Sequence, residues 1–220
     1  MSHAKTINKT SGTQKTHPES ENAASASYVA KRIYRSLRRF FKGMNTHRAY
    51  GHLRGRLLKA MADSTGRSAR LDLLSGNLSL LEGFEFNEDN CTPQPILKKC
   101  LSVVVENDMS GFVHLPAINP QKDIIAPVGT MYFKLFVLLI IINHKTGDYQ
   151  TVVHDWMGYH PVDRRIRSRQ QWRISKKLEG KSILVTAFGI KFYDFMVEEI
   201  VGGIFDRAAA SFVIHKALPC

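Results

Sequence analysis

The sequence predicts an α+β protein, in which a basic αα-hairpin at residues 28–66 precedes an antiparallel, Ig-like β-sandwich at residues 67–220. Three observations predict this class. Apolar residues in the first part follow a helical spacing, the second part is rich in β-branched and aromatic runs of strand length, and turn signals rather than helical patterns separate those runs. Residues 1–27 contain almost nothing to bury, so we expect a disordered polar tail there.

The first predicted helix covers residues 28–42. Ser25 or Ser27 is placed to accept from an orphan backbone N–H at its start. Apolar residues recur at steps of three and four and form one stripe: Val29, Ile33, Leu37 and Phe40 or Phe41. Basic residues fill the other faces, so the helix is expected to bury one side only.

A second helix is predicted at residues 46–62, with Asn45 or Thr46 as its cap. Its inward residues are expected to be Tyr50, Leu53, Leu57 and Met61. Gly51 and Gly55 each weaken a helix by roughly 1 kcal/mol relative to alanine, and they also allow close packing. Two short helices joined by a turn form an αα-hairpin.

About seven strands with short turns between them are typical of an antiparallel sandwich. The runs that predict them are residues 76–87, 100–108, 111–116, 131–143, 149–155, 182–194 and 210–218. Leu135 to Ile142 is apolar on both faces, which predicts a central strand with the core on one side and a cover on the other. The basic hairpin is the candidate cover.

Three short blocks resemble a family of Bacteroidetes proteins without an established activity: Leu80-LEGFEFN-87, Ala126-PVGTMYFKL-135 and Leu184-VTAFGIKFYD-194. Members have a helical N-terminal part, then the Leu-Glu-Gly-Phe-Glu-Phe-Asn element, then a β-rich remainder. Members often begin with a β-hairpin, whereas this chain begins with a polar tail. The resemblance therefore supports the predicted architecture and implies no particular function.

The net charge of +12 is concentrated in one segment. Residues 28–70 hold twelve Lys or Arg residues against Asp63 alone, whereas residues 71–220 hold sixteen charges of each sign. Any electrostatic role therefore belongs first to the predicted hairpin.

No pattern in the sequence predicts an enzyme, a metal site or a cofactor site. Gly180-Lys181-Ser182 lacks the glycine five positions earlier that a phosphate-binding loop needs. His154, Asp155 and His160, with Asp163 nearby, match no metal-ligand spacing and are interpreted as surface polar residues. There is no Gly-x-Ser-x-Gly nucleophile turn.

Glu82 and Glu85 flank Gly83 and would suit acid–base chemistry only if they faced each other. In a strand they point to opposite faces, so we interpret them as polar positions of a strand in which Gly83 marks a bulge or a close approach. Phe84 and Phe86 then share one face.

The chain has three cysteines, none in a Cys-x-x-Cys pair. Free thiols in a reducing compartment are the simpler interpretation, and a Cys91–Cys100 disulfide is the alternative. No secretory signal or membrane-spanning run is apparent, so we expect a cytoplasmic protein.

Three functions remain open for the basic hairpin. The most economical is a non-catalytic structural or protein–protein interaction module, with the apolar stripe packed on the sandwich or on a partner, including a second copy. The alternatives are binding of nucleic acid, helped by the basic segment 164–177, and peripheral binding to an anionic membrane through Tyr28, Ile33, Phe40 and Phe41. The candidate nucleic-acid or anion-binding residues are Arg32, Arg35, Arg38, Arg39, Lys42, Arg164, Arg165, Arg167, Arg169, Trp172 and Arg173.

Overall fold

The computed structural model describes residues 18–42, 44–63, 73–89, 102–105, 111–143, 148–155, 160–174, 182–193, 196–197, 200–201 and 211–219. Within these ranges, two N-terminal helices precede antiparallel sheets, as the α+β prediction expected. Cys91 and Cys100, interpreted as free thiols with a disulfide as the alternative, lie outside the described residues, and so do Gly180 and Lys181.

The helices are α1 (Pro18–Leu37), α2 (Ala49–Ala62) and the short α3 (Pro120–Asp123). The strands, in chain order, are β1 (Ser102–Val105), β2 (Gly111–Leu115), β3 (Tyr132–Asn143), β4 (Tyr149–Asp155), β5 (His160–Pro161), β6 (Gln170–Ile174), β7 (Ser182–Tyr193), β8 (Met196–Val197), β9 (Ile200–Val201) and β10 (Ser211–Pro219). Single 3₁₀ turns follow α1 at Arg38–Phe40 and occur again at Leu78–Leu81.

The central sheet has the strand order β10-β7-β3-β4, and β5 pairs with the beginning of β3. All of these pairings are antiparallel, and β3 and β7 pair along their whole length, from Tyr132 opposite Tyr193 to Asn143 opposite Ser182. A second sheet has the order β1-β2-β6, and β8 with β9 forms a separate two-stranded ribbon.

Strand β3 buries both of its faces, because side chains alternate along a strand and each face meets a different apolar core. Phe136, Leu138 and Ile140 belong to the core that contains the apolar stripe of α1. Leu135, Val137 and Leu139 belong to a second core that contains Val113 and Leu115 of β2. The prediction of a central, doubly covered strand at Leu135–Ile142 is confirmed, and the helical hairpin is the cover of one side.

The inward faces predicted for the two helices are also confirmed. Val29, Ile33 and Leu37 of α1 are buried, and so are Leu53, Leu57 and Met61 of α2. Tyr50 is half-buried and packs against the same core. Small residues, Ala26 and Ala30, extend the α1 stripe.

The start of α1 differs from the prediction. The helix begins at Pro18 rather than at residue 28, so residues 18–27 are helical instead of belonging to a polar tail. Ser27 does not cap the helix, since its hydroxyl donates to the Ala23 carbonyl at 2.7 Å inside it. Proline suits the first helical position, and the alanines after it favour helix although they carry little apolar area.

The cap of α2 also differs. Asn45 and Thr46 do not cap it: the N-cap is Arg48, whose backbone N–H donates to the Glu88 carboxylate. Asn45 instead ties the turn between the helices to a later segment, donating from its amide to Asp89 at 2.8 Å and from its backbone to Asn87 at 3.3 Å. A Cβ at Gly51 or Gly55 would meet nothing within 4 Å, so these glycines serve no close packing.

The Leu-Glu-Gly-Phe-Glu-Phe-Asn block forms a bridge to the edge of the central sheet rather than a full strand. Gly83, at a φ of 73°, turns the chain, and its N–H donates to the Ile214 carbonyl at 2.8 Å. The Phe86 N–H donates to the Phe212 carbonyl at 2.9 Å, and Glu85 forms an isolated bridge with Val213. The preceding Leu78–Leu81, predicted as strand, is a 3₁₀ turn.

Candidate functional site

The outer side of the first helix carries a row of cations, which we call the helix face: Lys31, Arg35, Arg38, Arg39 and Lys42. All five side chains are exposed, because the opposite side of the helix fills the core. No Asp or Glu occurs between Glu21 and Asp63, and within the described part of the chain none of the five forms an ion pair. The helix face is therefore a cationic surface with no ion-pair partner among the described residues.

Arg32 faces a different neighbour from these five cations. Its Nε donates to the Tyr28 hydroxyl at 2.8 Å, and its guanidinium lies 4.5 Å from the Tyr149 ring of β4. The hydrogen bond to Tyr28 is the main cause of a raised Arg32 pKa. Arg32 thus fixes α1 to the sheet edge, together with the hydrogen bond of 2.7 Å between Thr151 and Ser36.

Three of the four side chains that the membrane hypothesis assigned to insertion are inside the protein, and the fourth, Tyr28, is half-buried against the same core. Ile33 is fully buried, and Phe40 and Phe41 pack against Phe212 with ring centroids 5.5 and 6.3 Å apart. In the folded chain these three side chains pack in the core and are not available for insertion into a membrane. Among the described helices, none combines the length and the apolar character that crossing a bilayer requires.

The basic segment 164–177 divides into an irregular part and an edge strand. Arg164 and Arg165 are exposed, while Arg167 pairs with Asp163 at 2.8 Å and bridges its backbone to Ile118. Trp172 lies in β6, and its backbone pairs with that of Val113 in β2. Residues 175–177 lie outside the described residues.

The helix face and the segment 164–174 do not form one surface. The helices cover the side of the central sheet that bears Phe136 and Leu138, whereas β2 covers the side that bears Leu135 and Val137. Strand β6 pairs with β2 on that second side. The two groups of cations are therefore separated by the central sheet.

The solvent side of the second sheet carries aromatic and polar groups together, which we call the sheet face: Phe112, His114, Arg169, Gln171 and Arg173. Phe112 pairs with Arg173 and His114 pairs with Gln171 across the strands. The rings of Phe112 and His114 lie 6.1 Å apart, and Arg169 Nη2 lies 3.3 Å from His114 Nδ1. The two arginines are among the residues predicted from the sequence, but the two rings are not, because the strand that pairs with them lies far along the chain.

Lys191 is an ionisable group in the core that the sequence analysis missed. It is 6% exposed, and its Nζ donates to the Lys42 carbonyl at 3.4 Å. Burial, reinforced by the charge of Lys42, lowers its pKa to about 8. The signal in the sequence is a lysine inside an apolar strand, at a position that alternation places on the helix side.

Glu82 and Glu85 have structural partners, and they do not form a catalytic pair. Glu82 pairs with Lys216 at 3.0 Å. Glu85 accepts from the backbone N–H groups of Asn87 at 2.9 Å and Phe212 at 3.0 Å, and from the Ser211 hydroxyl. Both carboxylates thus hold the 82–87 segment against β10.

The structure describes the polar group at residues 154–163 only in part. The side chains of His154, Asp155 and His160 lie outside that description, and Asp163 is engaged by Arg167 and Arg165. No group of three or more His, Cys, Asp or Glu side chains converges in the part of the chain that is described.

No known protein-family model matches this sequence, and a search of the curated proteins finds no significant match. The function is therefore inferred from the two surfaces alone.

Proposed function

We propose that this protein is a non-catalytic interaction module whose helix face binds an acidic surface of a partner protein. The observation that supports the proposal is the difference between the two sides of the first helix, one buried and apolar and the other exposed and cationic. Its apolar stripe is buried inside the protein, whereas the exposed Lys31 and Arg35, with Arg38 in the turn that follows, form no ion pair with any described residue. Complementary charge steers association and gives specificity to such a contact.

The architecture proposed with it is a sandwich of Ig-like type, formed by the central and second sheets and covered by the helices. The described strands that support it are antiparallel, and the two sheets share one apolar core. The resemblance to the Bacteroidetes family and the cytoplasmic location stay predictions.

The test is affinity capture with the full chain in a nuclease-treated extract of the organism that makes it. A helix-face variant, Lys31→Gln with Arg35→Gln and Arg38→Gln, is compared with a control, Lys122→Gln with Arg164→Gln and Arg165→Gln. Each removes three exposed cations. We expect at least one protein to be retained by the wild type and the control but lost by the helix-face variant.

The same set of captured proteins on all three chains would overturn the proposal. Sedimentation of the purified chain at low and high salt covers self-association, where a dimer lost in the helix-face variant identifies a second copy as the partner.

Binding of nucleic acid by the helix face is the second candidate, because the same exposed cations suit phosphates. Titration of a labelled random duplex at about 50 and about 200 mM salt decides between the two. Affinity that falls by orders of magnitude with salt, and that is lost in the helix-face variant, would favour nucleic acid. Weak binding at the lower salt would remove this candidate.

A further inference from the structure

The sheet face is oriented to solvent because strand alternation assigns its neighbours to the core. Val113 and Leu115 of β2 are fully buried in the second core. Phe112 and His114 alternate with them and are only partly buried, while Gln171 and Arg173 of β6 are exposed. The sheet therefore has one apolar face and one solvent face, as antiparallel sheets commonly do.

Two rings lie side by side on this solvent face. The ring centroids of Phe112 and His114 are 6.1 Å apart and the ring planes differ by 35°. Val104, 48% exposed, extends the row of Phe112 onto β1. These neighbouring apolar groups on the outer face of the sheet form a surface on which a flat partner can pack.

Positive charge borders the rings. Arg173 is opposite Phe112 in the register, and Arg169 Nη2 lies 3.3 Å from His114 Nδ1. No Asp or Glu is present in β1, β2 or β6. A guanidinium beside a partly exposed ring suits a ligand that has both a flat unsaturated group and an anionic group.

Unpaired nucleotides have both groups in one repeating unit. Their bases stack on aromatic side chains, and their phosphates pair with arginine. A duplex hides its base faces within its own stack, and an acidic polypeptide would use the arginines but not the rings. We propose that the sheet face binds single-stranded nucleic acid, with Phe112 and His114 stacking bases and Arg169 and Arg173 contacting the flanking phosphates.

This site is independent of the helix face, since the central sheet separates the two surfaces. Gln171, opposite His114, is positioned to offer an amide to a base edge. The contacts involve few base-edge groups, so we expect little preference among sequences.

The test is a fluorescence-anisotropy titration of the full chain with labelled oligo(dT) and oligo(U) of about 12 nucleotides, which covers the site size of a small sheet platform. If two phosphates are neutralised, affinity should fall about 5- to 10-fold between about 50 and about 200 mM salt. Phe112→Ala should weaken binding about 5- to 100-fold, the range found for loss of one stacking side chain.

Three further variants keep the test decisive. Phe112→Trp should retain binding, because it keeps a ring at that position. Arg173→Gln, at an exposed residue, should lower the slope of log affinity against log salt by about 0.7, the effect of one phosphate contact on a single strand. The helix-face variant should bind the single strand within about threefold of the wild type, since salt screens distant charges.

Any of three results would overturn the proposal: undetectable binding at about 50 mM salt, a duplex bound as tightly as the single strand, or unchanged affinity in both Phe112→Ala and Arg173→Gln. Circular dichroism verifies the fold of each variant. If Phe112→Ala does not fold, Arg173→Gln and Phe112→Trp decide the outcome.

Discussion

Phe212 occupies the space that a side chain on Gly189 would fill. The two residues are opposite each other in β10 and β7, and a Cβ on Gly189 would lie 2.1 Å from Phe212 Cζ. Phe212 is fully buried, with Phe40 and Phe136 rings 5.5 and 5.9 Å away, so its ring has no room to move aside.

Gly189→Ala should therefore destabilise the protein by about 1–3 kcal/mol, the cost of adding a methyl group to a filled core. Urea unfolding of the wild type and the variant measures it. The relationship predicts a coupling as well: in a Phe212→Leu background the same substitution should cost less. Equal costs in both backgrounds would contradict the direct contact.

Substituting the two helix glycines should have the opposite sign. Gly51→Ala and Gly55→Ala should each stabilise the chain by about 0.5–1 kcal/mol, because both positions are helical and a Cβ meets nothing within 4 Å. The matched control is Gly76→Ala, where the added Cβ would lie 2.5 Å from the Ala60 carbonyl oxygen. Thermal unfolding should rank the control below the wild type and both helix variants above it; a lowered melting temperature for Gly51→Ala would refute this account.

Lys191 makes stability depend on pH. Its pKa is about 8 in the fold and 10.5 as the ordinary value, so the unfolded chain binds more protons between these pH values. The free energy of unfolding should rise with pH between about 8 and 10.5. Below pH 8 the full cost of burying the charged Lys191 amine should apply. The difference corresponds to about 3 kcal/mol, which partial solvent access of the amine reduces to about 1–2 kcal/mol.

Lys191→Met should remove this penalty, raising stability near neutral pH and flattening the dependence between pH 8 and 10.5. Urea unfolding at several pH values, compared between variant and wild type, isolates the effect from other titrating groups. Lys42 lies beside the amine and Lys134 pairs with Lys191 across the strands. Lys42→Met, which removes the smaller cause of the shift, should give a smaller gain. A variant less stable than the wild type at neutral pH would contradict the prediction.

Glu85 should be required for the attachment of β10. Its carboxylate accepts from Phe212 and Asn87 backbone N–H groups and from the Ser211 hydroxyl. Glu85→Ala should cost about 1–3 kcal/mol, because buried donors lose their acceptor. Glu82→Ala removes only a partly exposed ion pair and should cost under about 1 kcal/mol. Chemical unfolding of the two variants side by side tests the difference.

The elements predicted correctly depend on local spacing. The stripe Val29, Ile33 and Leu37 and the doubly apolar run Leu135–Ile142 are legible because each repeats with the period of its own structure. The predicted start of α1 was wrong because the alanines and serines of residues 18–27 carry no strong periodic signal. The cap of α2 was wrong because Glu88, which accepts from Arg48, is supplied by a distant segment.

The candidate surfaces were predictable only in part. Arg35 and Arg38 were identified because charge is visible in sequence, but their separation from Arg173 depends on which face of the central sheet each element covers. In the sequence, Phe112 cannot be told from other strand residues, because its place beside Arg173 depends on the pairing of β2 with β6. Such pairings join residues far apart in the chain, and no local pattern encodes them.

The core beneath the helices has a consequence for synthesis on the ribosome. It joins Val29 and Ile33 to Phe212 and Ile214, which are translated much later than the helix. Helix α2 can pack on the apolar stripe of α1 soon after it is made, but the stripe stays incompletely covered until β10 has emerged. Chaperones bind nascent chains that expose apolar surface in this way. The cations beside the stripe keep this part of the nascent chain charged until the core is complete.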